Sequence, residues 1–289
     1  MKLLRYGPPG QEKPGLLDAG GVLRDLSGQL ADITAETLAP AALARLAAID
    51  PAGLPAVTGS PRLGIPFSGT GKFIAIGLNY RDHAEESKMA IPKEPVIFTK
   101  AISCLSGPYD EVILPKDAAK GDWEVELGVV IGRTARYVGR AEALQYVAGY
   151  AVVNDVSERG FQLEHGSQWD MGKGCDTFGP VGPWLVTADE VGDPQKLDLW
   201  LDLNGKRMQT GNTRTMIFDV AELIAYVSRF ITLKPGDILT TGTPPGVGLG
   251  QKPAPIYLKP GDVMELGIAK LGQQKQRVVA WHAQPEDAA

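Results

Sequence analysis

Short apolar segments separated by glycine and proline recur along almost the whole 289-residue chain, which contains 35 glycines and 22 prolines. Segments such as "KFIAIGLNY", "VELGVVIG" and "GYAVVNDVS" are rich in β-branched or aromatic residues, as is typical of strands. The glycines and prolines between them predict many turns. The pattern therefore predicts a mostly β fold with few helices (α+β), and it lacks the regular strand–helix alternation of a doubly wound sheet.

The first 66 residues predict a small N-terminal domain. "KLLRY", "PGLLD" and "GVLRDL" predict a short β-meander, and residues 39–50 predict a helix with Pro40 in its first turn. Residues 51–66 hold four prolines and three glycines, which indicates a linker or an extended segment. We therefore expect a small domain over residues 1–66 and a second, larger domain over residues 67–289.

Three local signals stand out in the second domain. Alternating residues lead into Asn204–Gly205, which predicts a tight hairpin. Asp219, with Glu222 three residues later, predicts the start of a helix over "VAELIAYVSRFI". The tetrapeptide "KPGD" begins at residues 234 and 259, each time before a strand-like segment, and its Pro-Gly pair suits a type II turn. These signals predict a β-rich domain with one or two helices.

Composition and charge exclude several classes of partner. The net charge is −5 and the isoelectric point about 5.4, without a basic stripe, so we expect no nucleic-acid partner. No apolar segment approaches the ~20 residues of a membrane span, and the N-terminus lacks the apolar core of a signal peptide. Cys104 and Cys175 show no metal-type spacing, and we expect core cysteines without a disulfide. A cytoplasmic location is the expectation.

Three carboxylates suggest a metal site. On a strand, Glu124 and Glu126 of "DWEVELGVVIG" point to the same face, while Val125 and Leu127 face the core. Two such carboxylates repel each other unless a cation lies between them. Alternating charge is also common on solvated edge strands, and these two residues alone favour that interpretation. Asp155, at the end of an apolar strand, supplies a third oxygen ligand. Such a set suits Mg²⁺, Mn²⁺ or Ca²⁺ better than Zn²⁺ and leaves coordination positions open to substrate.

Several cations could neutralise an anionic substrate. Lys173 lies between two glycines in a loop-like segment, where it could approach an anion or simply form a charged loop tip. Lys100 follows the apolar run "PVIF", and Arg159 lies four residues after Asp155. Residues 240–250, "TTGTPPGVGLG", form a glycine-rich turn that matches neither a P-loop nor a dinucleotide fingerprint.

His83 and Glu86 are separated by three residues, which places both side chains on one face if this segment is helical. Glu86 could then hold one imidazole nitrogen and leave the other as a general base toward water. An ordinary surface pair would show the same spacing. The metal site predicted in the same domain favours the catalytic interpretation.

Six segments, taken in order over about residues 70–270, resemble the motif series of the fumarylacetoacetate hydrolase family. They are "GLNYRDHAEE", "PVIFTKA", "DWEVELGVVIG", "GYAVVNDVSER", "WDMGKGCDTFGPVGPW" and "LTTGTPPGVG". Within that family the chain also resembles the bacterial ureidoglycolate lyase-like branch, which includes 2,4-diketo-3-deoxy-L-rhamnonate hydrolases. The resemblance implies a β-sandwich roll, a homodimer and a bound Mg²⁺ or Mn²⁺.

The resemblance also implies roles for individual residues. It implies metal ligands at Glu124, Glu126 and Asp155, and catalytic residues at His83, Glu86 and Lys173. The expected substrate contacts are Tyr80, Lys100, Arg159, Gln162 and Thr243. We expect a small anionic 2-keto acid as substrate and pyruvate as a product.

The implied activity is metal-dependent hydrolysis of the carbon–carbon bond in a 2,4-diketo acid, with 2,4-diketo-3-deoxy-L-rhamnonate as the leading expected substrate and pyruvate and L-lactate as products. Ureidoglycolate cleavage, oxaloacetate decarboxylation and 2-keto acid tautomerisation use the same kind of site and stay open as alternatives. A metal-dependent binding protein without turnover is the alternative from another class.

Overall fold

A computed structural model describes residues 1–82, 91–166 and 168–282 of the chain. Its strands are β1 Lys2–Tyr6, β2 Lys13–Leu17, β3 Leu23–Asp25, β4 Phe73–Gly77, β5 Val96–Lys100, β6 Leu105–Ser106, β7 Val112–Leu114, β8 Gly121–Asp122, β9 Val125–Ile131, β10 Val147–Asn154, β11 Ser157–Glu158, β12 Gly179–Thr187, β13 Asp198–Leu203, β14 Lys206–Asn212, β15 Ile238–Thr240, β16 Val263–Ile268 and β17 Gly272–Ala280. Its helices are α1 Pro40–Ala47, α2 Arg159–Glu164, α3 Asp170–Lys173, α4 Ala188–Val191 and α5 Val220–Val227. Short 3₁₀ helices cover Pro51–Gly53, Ile102–Cys104, Arg140–Tyr146, Thr213–Thr215 and Gly248–Gly250. The predicted mostly β class is confirmed.

Two mixed sheets carry the fold. The larger has the order β3-β2-β1-β12-β10-β9-β15-β4-β5, with β6 paired to β12. The smaller has the order β14-β13-β16-β17-β7, and its strands β16 and β17 contact β9 and β10 of the larger sheet. β9 and β10 are buried along almost their whole length, so they form the centre of a sandwich. Any polar side chain on these two strands is therefore held in a dry, rigid setting.

The N-terminal segment joins the main sheet. β1, β2 and β3 form the predicted antiparallel meander, and the helix predicted over residues 39–50 is α1, with Pro40 at its first position. β1 also pairs with β12, with Lys2 opposite Val186. The meander thus extends the sheet of the second domain, and a boundary near residue 66 stays a prediction.

The turn signals of the second domain are confirmed. Asn204 and Gly205 have φ angles of 51° and 76°, as a type I′ hairpin between β13 and β14 requires. The Asp219 carboxylate accepts a hydrogen bond from the Glu222 N–H at 2.8 Å and caps α5. In the first "KPGD" turn, Gly236 has φ 84°, which suits the third position of a type II turn.

The segment from residue 159 to residue 173 differs from the prediction, which gave the second domain only one or two helices. It contains α2 and α3, of six and four residues. The Glu158 carboxylate accepts a hydrogen bond from the Phe161 N–H at 2.6 Å and caps α2. Helices of one or two turns are too short to show an apolar period, so their sequence resembles a loop. Within the described residues, no helix has the length and hydrophobicity needed to cross a bilayer.

Candidate active site

The three predicted metal ligands meet at one end of the central strands. Glu126 lies on β9 opposite Val153 of β10, and Asp155 follows β10 directly after Asn154. The Asp155 N–H donates to the Glu124 carbonyl at 2.9 Å, which brings the two chain segments together. One carboxylate oxygen from each of Glu124, Glu126 and Asp155 lies within 4.8 Å of the others. All three side chains are buried, so the solvated edge strand is excluded.

Lys173 lies inside this carboxylate cluster. Its Nζ is 2.5 Å from Oε2 of Glu124 and 2.8 Å from Oδ2 of Asp155. The side chain is 2% exposed and ends α3. Burial disfavours the ammonium charge, but the carboxylates of Asp155 and Glu124 outweigh it and raise the pKa of Lys173. The charged loop tip considered from the sequence is therefore excluded, because Lys173 is a buried cation between two of the candidate ligands.

Arg159 binds the second carboxylate oxygen of Glu124. Its Nη2 donates to Glu124 Oε1 at 2.6 Å, its Nε to Asp122 Oδ2 at 2.8 Å and its Nη1 to Gln162 Oε1 at 2.9 Å. Burial alone would raise the pKa of Glu124, but Lys173 and Arg159 outweigh burial and lower it to about 2. Glu124 is therefore ionised at every pH at which the fold is expected to function.

Glu126 has a different environment. Its Oε2 accepts a hydrogen bond from the Gly242 N–H at 3.0 Å, and within the described part of the chain it forms no ion pair. Burial, together with the carboxylates of Asp155 and Glu124, raises its pKa well above the ordinary value. Three buried carboxylates this close together repel one another, and a bound cation would relieve the repulsion. The environment of Glu126 is therefore the one expected of a cation ligand.

The charges of the whole cluster fit a divalent cation. Among the described residues, four carboxylates face three cations; these are Asp122, Glu124, Glu126 and Asp155 against Lys100, Arg159 and Lys173. A divalent ion held by Glu124, Glu126 and Asp155 would turn the deficit of one positive charge into an excess of one. Such a site would attract a substrate carboxylate. The all-oxygen donor set also matches Mg²⁺ or Mn²⁺ better than Zn²⁺.

A cavity of about 500 Å³ opens over the cluster. Its polar lining consists of Glu124, Glu126, Arg159, Gln162, Lys173, Thr243 and Lys252. Its apolar lining comes mainly from Ile76, Leu78, Phe98, Leu163, Trp169, Val247 and Leu249. Six of the residues predicted from the sequence thus share one cavity with an aromatic wall, in which Phe98 and Trp169 pack edge to face at 5.4 Å between ring centroids.

Tyr80 and Lys100, predicted to contact substrate, are not on the wall of this cavity. Tyr80 is fully buried and bridges to Met216. Lys100 Nζ lies 2.6 Å from Asp155 Oδ1 and donates to the Val156 carbonyl at 3.1 Å. The structure therefore gives Lys100 a supporting position behind Asp155. Thr243 does line the cavity, but its hydroxyl donates to the Val125 carbonyl at 3.0 Å.

His83 and Glu86 lie outside the described residues, so their catalytic roles stay predictions. Asp122 is a part of the site that the sequence argument overlooked, although it is fully buried and bound to Arg159. The signal was present, because Asp122, Glu124 and Glu126 alternate in "DWEVE". Three acidic residues at a spacing of two predict one acidic strand face more strongly than two do.

The fold and the site together define a β-sandwich protein with a buried carboxylate cluster next to a cavity. Residues 72–279 match the family model "Fumarylacetoacetate (FAA) hydrolase C-terminal". The chain belongs to the fumarylacetoacetate hydrolase family, and on this evidence it is an enzyme of the hydrolase type. It is 63% identical over 276 residues to a Burkholderia cenocepacia protein named "Putative hydrolase", covering 96% of this chain and 98% of the relative.

Solved structures agree with this assignment. The fumarylacetoacetate hydrolase of the psychrophilic Exiguobacterium antarcticum is 36% identical, with a TM-score of 0.87, over 97% of this chain and 100% of its own. The maleylpyruvate hydrolase of Sphingobium sp. SYK-6, solved with manganese(II) and pyruvate, is 31% identical, with a TM-score of 0.81, over 98% and 100%. These relatives support the family but not the ureidoglycolate lyase-like branch, which stays a prediction.

Proposed function

We propose that this enzyme is a divalent-metal-dependent hydrolase of acylpyruvates, that is, of 2,4-diketo acids. The observation that carries the proposal is the buried cluster of Glu124, Glu126 and Asp155. Glu124 and Glu126 line a cavity large enough for a small organic acid, and Asp155 adjoins them without lining the cavity. The manganese and pyruvate bound by the related Sphingobium enzyme support the same kind of metal and the same kind of product. Mg²⁺ and Mn²⁺ are both candidates.

The proposed reaction adds water across one carbon–carbon bond. The hydroxyl goes to the C4 carbonyl carbon, the bond between C3 and C4 breaks, and a proton goes to C3. The products are pyruvate and a carboxylic acid. A metal held by Glu124, Glu126 and Asp155 would act as a Lewis acid toward the 2-keto acid end of the substrate.

The cations of the chain prepare the site for that end of the substrate. Lys173 and Arg159 keep Glu124 ionised as a ligand, and Lys100 forms an ion pair with Asp155. Lys173 and Arg159 also line the cavity, where they can attract a substrate carboxylate. The general base is assigned to His83, oriented by Glu86, on the family resemblance alone.

The cavity wall bears on the acyl tail. Its aromatic and aliphatic lining suits a tail with apolar surface, and Lys252 adds a cation at the wall. 2,4-Diketo-3-deoxy-L-rhamnonate, expected from the resemblance, has a short tail with a hydroxyl group. Maleylpyruvate, the substrate in the name of the Sphingobium relative, has an unsaturated tail that ends in a carboxylate. Both belong in the first substrate panel, together with acetylpyruvate.

The test is pyruvate release from chelator-treated protein, with each of the three acylpyruvates, before and after addition of Mg²⁺ or Mn²⁺. We expect metal-dependent pyruvate and one equivalent of the matching acid. The variant Glu126→Gln should lose the activity. Glu265→Gln should keep the activity, because Glu265 forms a solvent-exposed ion pair with Lys275 at 2.7 Å and does not line the cavity.

Other outcomes would overturn the proposal. Full activity in excess chelator would exclude a metal-dependent reaction. Loss of oxaloacetate, without pyruvate from any acylpyruvate, would favour a decarboxylase. Metal-dependent ligand binding without any turnover would favour a binding protein.

A further inference from the structure

Asp122 lies next to the proposed metal site, yet it is not on the cavity wall. It is fully buried, and each of the two oxygens of its carboxylate accepts two hydrogen bonds. Oδ1 accepts from the N–H groups of Trp123 at 2.8 Å and Gly248 at 2.6 Å. Oδ2 accepts from the Leu249 N–H at 3.0 Å and from Arg159 Nε at 2.8 Å. One carboxylate thus joins a segment of backbone to a buried guanidinium.

Gly248 lets that backbone come close enough. A Cβ atom at this position would lie 2.1 Å from the Ile256 carbonyl oxygen and 2.8 Å from Asp122 Oδ1. The Ile256 N–H also donates to the Gly248 carbonyl at 3.0 Å. Since a side chain at residue 248 would push the backbone away from Asp122, the glycine is required by close approach.

The segment held by Asp122 forms one wall of the cavity. Val247, Leu249, Gly250 and Lys252 all line it. The other partner of Asp122, Arg159, donates to Glu124, a proposed metal ligand. The Asp122 carboxylate therefore binds the cavity wall and also binds Arg159, the guanidinium that holds the proposed ligand Glu124.

We infer that Asp122 is a positioning residue, which sets the distance between the 247–252 wall and the carboxylate cluster and so sets how the substrate tail is held over the metal. The inference rests on the proposed function. Asp122 acts through Gly248, Leu249 and Arg159, and it takes no part in bond making. Its loss should therefore weaken substrate binding more than it slows the chemical step.

The first test needs no substrate. In the wild-type protein, hydrogen–deuterium exchange followed by mass spectrometry should show protected amides at Gly248 and Leu249. In Asp122→Asn, an amide nitrogen can replace Oδ2 and then faces two N–H donors, or it can replace Oδ1 with the same result. Exchange at residues 248 and 249 should become at least about tenfold faster, as expected for the loss of one or two buried hydrogen bonds.

Asp237→Asn is the matched control. Asp237 is also buried, accepts a backbone hydrogen bond, from Lys234 at 2.6 Å, and pairs with Lys72 at 2.6 Å. It does not line the cavity. This variant should leave exchange at residues 248 and 249 unchanged, so a general loss of stability can be told from a local release.

The second test is kinetic. Asp122→Asn and Gly248→Ala should each raise KM for the acylpyruvate that is turned over by about tenfold. For Gly248→Ala, kcat should stay within about threefold, because that change does not touch Arg159. In the double variant, KM should rise no further than in the more affected single variant, because both changes break the same contact.

Three results would overturn the inference. One is rapid exchange of the Gly248 and Leu249 amides in the wild type, and another is unchanged exchange in Asp122→Asn. The third is a KM increase in the double variant equal to the product of the single increases. Should Gly248→Ala fail to fold, the exchange comparison still decides. Should no acylpyruvate be turned over, the proposed function fails, while the exchange tests judge the position of Asp122 independently.

Discussion

Replacing Glu126 by glutamine separates metal binding from folding. Burial and the carboxylates of Asp155 and Glu124 raise the pKa of Glu126 well above its ordinary value, so the surroundings of Glu126 disfavour its charged form when no metal is bound. Glutamine has the same shape, and its oxygen can keep the hydrogen bond from the Gly242 N–H. We therefore expect the Tm of the metal-free variant to stay within about 2 °C of the wild type, since a substitution without lost contacts changes stability by about 0.5 kcal/mol.

The metal-bound proteins should differ clearly. A metal at 100 times its Kd stabilises the wild type by about 2.7 kcal/mol. For a chain of this size each kcal/mol shifts Tm by about 2–4 °C, so Tm should rise by roughly 5–10 °C. Loss of one of the three carboxylate ligands should weaken metal binding by at least about 100-fold. Losing a residue that only supports a ligand costs up to about 100-fold, and losing a ligand itself should cost at least as much. The same metal concentration then stabilises the variant by about 0.4 kcal/mol, and Tm rises by at most about 2 °C.

The assay is thermal unfolding in chelator and then in a titration of Mn²⁺ or Mg²⁺, for wild type, Glu126→Gln and the control Glu265→Gln. The control should gain as much from the metal as the wild type does. An equal gain in Glu126→Gln would show that Glu126 is not a ligand. A metal-free Tm more than about 10 °C below the wild type would show that the charge of Glu126 supports the fold, contrary to its surroundings.

Three further measurements follow from the site. Lys173→Met should lower the metal-free Tm by roughly 6–20 °C, because removing one partner of a buried ion pair costs about 3–5 kcal/mol. Thermal unfolding in chelator checks this, and an unchanged Tm would contradict it. Lys252 lines the cavity and forms no ion pair with the described residues. Lys252→Met should raise KM about tenfold for maleylpyruvate, because Lys252 can attract the carboxylate of its tail. For acetylpyruvate, which has no tail carboxylate, KM should rise no more than about twofold. Burial raises the pKa of the Cys175 thiol to about 11, so the thiolate fraction grows with pH up to that value. Alkylation of Cys175 by iodoacetamide should therefore be about 100-fold faster at pH 9.5 than at pH 7.5. A rate that stops rising below about pH 9 would show that the pKa is not raised.

Local chemistry explains which parts of the fold were predictable. The Asn204–Gly205 hairpin and the cap at Asp219 depend on neighbouring residues, and both are found as expected. The pairing of β1 with β12 depends on residues more than 180 positions apart, and no local pattern encodes it. Domain organisation was therefore harder to infer than strand content, because it depends on such long-range pairing.

The same distinction applies to the site. Alternation along "DWEVE" placed Glu124 and Glu126 on one face, and an acidic residue at the end of a buried strand pointed to Asp155. The burial of Lys173 depends on α3 packing its last residue against that face, which the Gly-Lys-Gly sequence does not reveal. Because four carboxylates in a dry site require several cations, the acidic strand face itself implied buried partners. A search for lysines and arginines on the segments adjoining such a face would have predicted a structural role for Lys173 in addition to the catalytic role that the resemblance implies.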